Sequence, residues 1–120
     1  MTEPEFWTHL EYRVCREFYG LRDSKYRGLG CDGFIAETFE VEAGCACIRG
    51  RAWIQRGHDQ EAWPFTLQIG RGITSRDEID WARLLPAEDV TGWLSIDLQR
   101  KTLKIDPAAA YPDLPAPPRA

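Results

Sequence analysis

The sequence predicts an α+β domain: an N-terminal helix, a three-stranded antiparallel meander, a short helix and a C-terminal β-hairpin completing one antiparallel sheet. Three observations carry this. Apolar residues recur every four positions near the N-terminus, and from residue 35 they alternate with polar ones. The third is composition: 43% of 120 residues are apolar and five are Trp, enough to bury a core in one unit without metal or disulfides.

Thr2-Glu3-Pro4-Glu5 has the form of a capping box, a hydroxyl three residues before a carboxylate, with Pro in the first turn where its missing N–H costs nothing. A helix is predicted from here. Phe6, Leu10, Val14 and Phe18 form its apolar stripe, Trp7 lies beside them, and Gly20 is expected to end it in a left-handed conformation.

After the polar connection Arg22 to Arg27 the period becomes two. Ile35, Phe39 and Val41 share one parity, Ala46, Ile48, Gly50, Ala52 and Ile54 another, and Trp63, Phe65, Leu67 and Ile69 a third. These read as three half-buried strands joined by the tight connections Glu42 to Gly44 and Gly57 to Glu61. Ser75-Arg76-Asp77-Glu78 repeats the capping-box form ahead of Ile79, Trp81 and Leu84, which predicts a short helix stopped by Pro86. Leu94, Ile96 and Leu98, then Leu103 and Ile105, read as the closing hairpin. Residues 1–106 are taken as the domain and residues 107–120, with five Pro and five Ala, as a flexible tail. The tail contains a PxxP at Pro112 to Pro115.

Fifteen basic against nineteen acidic residues, a net charge of −4, disfavour nucleic acid as a partner, and neither half of the chain forms a charged arm. Single-stranded nucleic acid, with indoles as stacking platforms, is a weaker reading for the same reason. No apolar run is long enough to span a membrane, and the N-terminus lacks the basic and apolar regions of a secretory signal. A cytoplasmic protein is expected, with Cys15, Cys31, Cys45 and Cys47 as free thiols.

Several motifs have chemical meaning only in the right context. Gly28-Leu29-Gly30-Cys31-Asp32-Gly33 spells G-x-G-x-x-G, but a strand follows it rather than precedes it, and Trp53 stands where a ribose-binding acid belongs. The glycines read as a bend at the start of a strand. The cysteine spacings do not repeat the paired knuckles of a zinc site, so neither metal nor cofactor is expected. A Cys/His nucleophile would need His9, placed on the wet side of the helix, or His58, placed in a turn. Glu37 shares the parity of Ile35 and Phe39, so its carboxylate is expected on the covered face unless a bulge turns it out or an Arg pairs with it.

The candidate site is the opposite sheet face. Arg49, Arg51 and Trp53 share the parity opposed to the apolar set of their strand, and Trp93, Ser95 and Asp97 are assigned to the same face of the last hairpin. Guanidinium groups beside indoles bind anions, stack planar ligands or anchor proteins. The blander alternative pairs the arginines with Glu40, Glu61 or Asp97 across strands, with no ligand. The function this predicts is a small non-catalytic binding or protein-interaction module, with another protein or a second copy as partner; a small anionic ligand also fits the arginines. The alternative is a small enzyme in which Glu37 is the acid/base and Arg49 or Arg51 orients an anionic substrate.

Overall fold

In the computed structural model, which describes residues 1–88 and 90–107, the first helix and a single five-stranded sheet enclose the core. The helix α1 spans Glu3–Gly20. Thr2 caps it: the Thr2 hydroxyl accepts from the Glu5 backbone N–H at 3.3 Å and donates to the Glu5 carboxylate at 3.0 Å. Phe6, Leu10, Val14 and Phe18 are all buried, each contributing about 1.5–3 kcal/mol of apolar burial. Gly20 differs from expectation. It remains helical, and Leu21 ends the helix in an extended conformation while its N–H bonds the Phe18 carbonyl.

The strands are β1 (Leu29–Glu42), β2 (Cys45–Arg56), β3 (Asp59–Arg71), β4 (Leu94–Asp97) and β5 (Thr102–Ile105), in the order β1-β2-β3-β5-β4. The first three form the expected antiparallel meander. Ala43 and Gly44 make the β1–β2 turn with φ of 52° and 78°, the positive values a two-residue hairpin turn needs.

The sheet is mixed rather than wholly antiparallel, because β5 pairs parallel to β3 through Phe65 to Leu67 and Leu103 to Ile105. The connection from β3 carries β4 to the far edge, and the hairpin then folds β5 back into the space beside β3. Alternation of side chains marks a strand but not which arm of a hairpin joins the sheet.

The short helix expected at Ser75 is instead two 3₁₀ turns, Arg76–Glu78 and Trp81–Leu84. Ile79 and Trp81 are two residues apart and lie on different sides of any α-helix, yet both pack into the core, so the chain bends between them. The Ser75 hydroxyl caps the first turn by accepting from the Asp77 N–H at 3.3 Å, while the Glu78 carboxylate accepts from the Thr74 hydroxyl at 2.9 Å. Arg13 anchors the following loop by donating to the carbonyls of Pro86 and Ala87. Pro107, placed by sequence in the tail, is fully buried; the rest of that segment, 108–120, lies outside the described residues.

Candidate functional site

The alternation along β2 is regular from Ile48 to Ile54, whereas Cys47, on the parity of Arg49, is buried next to an irregularity in the pairing with β3. Ala46, Ile48, Ala52 and Ile54 are fully buried, whereas Arg49 and Arg51 are exposed and Trp53 is half-buried on the other side. Pairing extends this outer face across the sheet: Thr38, Arg49, Thr66, Lys104 and Ser95 form one row over all five strands, and Ile35, Arg51 and Pro64 form the next over three.

Two bulges decide which residues of β1 reach this face. One extra residue is accommodated between Cys31 and Phe34, and a second, Glu37, between Ala36 and Thr38. Each insertion flips the parity. Leu29 and Cys31 face the core, then Phe34 and Ala36, then Phe39 again, so Ile35 is turned outward and is 38% exposed. Strict alternation between Ile35 and Phe39 does not hold, and the G-x-G-x-x-G segment largely becomes the first part of β1, with Gly33 at φ 142° in the first bulge.

Glu37 is therefore corrected from the covered face to the surface. Its carboxylate accepts from Arg51 Nε at 3.2 Å, with both side chains nearly half exposed. The desolvation that an acid/base role asked of Glu37 is absent. Arg49 is held the same way, with Nε 3.4 Å from Glu40 and Nη2 4.0 Å from Glu42. Three carboxylates from β1 thus lie against two guanidinium groups from β2, fixing their orientation at little net gain in stability because all are exposed to solvent. Glu61 and Asp97 are engaged elsewhere, with Lys101 and Arg100.

Trp93 is the second correction. It precedes β4, is 1% exposed and belongs to the core, with the Arg13 guanidinium 5.8 Å from its ring centre. A parity argument counted from Leu94 fails there because Trp93 lies in a bend that follows Gly92 (φ 85°) and precedes β4, although its carbonyl still accepts from the Asp106 N–H at 2.8 Å. The outer face keeps Arg49, Arg51 and Trp53 and loses Trp93.

The cysteines make no common site. Cys31 is buried, and burial pushes its thiol up to about 12. Burial also raises Cys15, whose sulfur lies 3.1 Å from the Cys31 backbone nitrogen. Such thiols are poor nucleophiles. Cys45, on the opposite end of the sheet, accepts from Arg71 Nε at 3.3 Å. Among the described residues no three His, Cys, Asp or Glu side chains converge as a metal would require.

A second concavity was not foreseen from the sequence. Where β3 continues past the end of β5, Ile69, Ile73, Ile79 and Leu84 floor a groove of about 380 Å³. Arg71, Arg83 and Lys104, with Glu78, Asp80 and Asp106, form its charged rim. Its residues come from four separated segments, so no local pattern marks it.

Comparison of the chain with protein-family models, with curated proteins and with solved structures finds no match. The functional reading therefore rests on these surfaces alone. No helix among the described residues is long and apolar enough to cross a membrane.

Proposed function

We propose that this protein is a non-catalytic interaction module whose outer sheet face binds another protein or a second copy of the chain. The observation that carries it is the set of paired arginines. Arg49 and Arg51 are positioned by Glu37, Glu40 and Glu42, beside the partly exposed Trp53 and Ile35. A rigid aromatic anchor flanked by oriented guanidinium groups suits the centre of a protein interface, where Trp and Arg contribute most of the binding energy. Alternating carboxylates and guanidinium groups give such a surface a charge pattern that a partner must complement, which sets specificity more than affinity. The four free thiols support a reducing, cytoplasmic setting.

The test is the double variant Arg51→Ala/Trp53→Ala. Its circular dichroism and melting temperature are expected to stay close to wild type, since both side chains face outward. Sedimentation equilibrium and co-purification from the native cell extract are expected to show loss of the self-associated or hetero-complexed species. A variant that keeps the same oligomeric distribution and every co-purifying protein removes the proposal.

A further inference from the structure

The groove beyond β5 holds an unfinished piece of sheet. β3 pairs with β2 from Asp59 to Arg71, but with β5 only from Phe65 to Leu67. After Ile105 the chain leaves β3, and the Asp106 N–H turns to the Trp93 carbonyl on the β4 side. Residues 68–71 of β3 therefore have a strand on one side only, over a length of about 13 Å. A strand edge of this kind offers unpaired N–H and C=O groups to an extended chain laid beside it.

Two further features lie beside that edge. Ile69, Ile79 and Leu84 make an apolar floor at the open end of the core. The rim carries a surplus of uncommitted positive charge. Arg83 and Lys104 make no ion pair among the described residues. Of the acids, Glu78 accepts from the Thr74 hydroxyl and Asp106 is engaged within the fold, which leaves Asp80 as the one rim carboxylate without a partner among the described residues. A small apolar acid would meet the floor and the cations but leave the strand edge unpaired. A peptide strand satisfies all three.

We propose that this groove binds an extended, acidic and aliphatic segment of another protein, which adds a strand beside residues 68–71 of β3 in line with β5. The side chains of the segment alternate: aliphatic ones enter the floor at Ile69, Ile79 and Leu84, and acidic ones meet Lys104 and Arg83. Main-chain hydrogen bonds to the edge supply the affinity, while the floor and the two cations select the sequence. The surplus of positive charge favours carboxylates and rejects a basic segment. The proposal does not rest on Arg49, Arg51 or Trp53, so it and the outer-face reading can fail separately.

The probe is a mixture of the peptides acetyl-Glu-X-Glu-X-Glu-amide, with Val, Ile, Leu or Phe at X, titrated into the full isotope-labelled chain and followed by NMR. Saturable shifts are expected at the Ile69 and Gly70 amides and at the methyls of Ile69, Ile79 and Leu84. The double variant Arg83→Glu/Lys104→Glu, with both substitutions at exposed positions, is expected to bind these peptides at least about tenfold more weakly and to take the matching Lys-X-Lys-X-Lys set instead. Peptides N-methylated at every internal amide keep their side chains but cannot donate to the edge, and should also bind at least about tenfold more weakly. Acidic peptides that cause no saturable shift at these positions overturn the proposal, as does binding that survives N-methylation or charge reversal. Octanoate that reproduces the shifts at equal concentration overturns it by assigning the groove to a small amphipathic acid. Shifts at the same amides on diluting the protein alone do so by assigning it to a second copy. Arg51→Ala/Trp53→Ala is expected to bind the peptides unchanged, and loss of binding there overturns the proposal by placing them on the outer face.

Discussion

Gly50 leaves no room for a Cβ against the β1 backbone at Ile35, and replacing it with Ala tests the bulge that presents Glu37 to Arg51. A Cβ at Gly50 would lie 1.9 Å from the Ile35 carbonyl oxygen, 2.9 Å from its carbon and 3.0 Å from Phe65 Cε1. Ordinary contact begins near 3.4 Å, so the β1 backbone must retreat by about 1.5 Å. Backbone, unlike the end of a side chain, cannot swing aside. The retreat strains ladder hydrogen bonds beside Ala36, each worth about 1 kcal/mol net, and adds an overpacking cost of about 1–3 kcal/mol. Against this, alanine restricts the unfolded chain and recovers about 0.5–1 kcal/mol. The net loss is about 2–4 kcal/mol. At roughly 4–8 °C per kcal/mol for a domain of this size, the melting temperature should fall by about 8–32 °C. Differential scanning calorimetry and urea titration measure it. Gly20→Ala is the control: nothing lies within 4 Å of its Cβ and its φ is helical, so its midpoint should stay level or rise slightly. A Gly50→Ala melting temperature within about 3 °C of wild type would refute the close approach and with it the geometry of the Glu37 bulge.

Glu3 and Trp93 supply two further expectations beside those for the outer face and the groove. Burial alone would raise the Glu3 carboxyl, but hydrogen bonds from Arg76 and the Trp7 indole, with the Arg76 charge, hold it below its usual value of 4.5. A lowered carboxylate stabilises the fold above its ordinary pKa and loses that contribution as pH falls through its folded value. Glu3→Gln should therefore cost about 1 kcal/mol at pH 7, with the gap to wild type closing as the pH falls below 4.5 and through the lowered folded value; urea midpoints whose gap stays constant from pH 7 down to the most acid pH at which the protein still folds would contradict this. Among the described residues the Trp93 indole N–H meets no acceptor although the side chain is buried. Trp93→Phe should thus cost only about 1 kcal/mol and Trp93→Ala about 3–5 kcal/mol, and equal denaturant midpoints for the two would show that the indole nitrogen has an essential partner.

Much of the secondary structure is legible from neighbours in the chain. The Thr2 cap, the four-residue spacing from Phe6 to Phe18, and the alternation along β2 and β3 each act over two to four residues, and each element formed as its pattern indicates. The same alternation separates Arg49, Arg51 and Trp53 from Ile48 and Ile54. The spacing of Ile79 and Trp81, which no single helical face accommodates, already contains the bend that divides the segment after Ser75 into two turns.

What the tertiary structure alone decided is everything that depends on a partner far along the chain. The extra residues in β1 are bulges only relative to β2, and they move Ile35 and Glu37 to the outer face. The parallel seating of β5 follows from where the connection drops β4, and Trp93, in the bend before β4, packs inward beside Arg13. The groove exists because β3 is longer than the strand beside it. Periodicity and capping are short-range terms that a sequence states directly; register, strand order and concavity arise from how distant surfaces fit, and those terms become definite only when the elements meet.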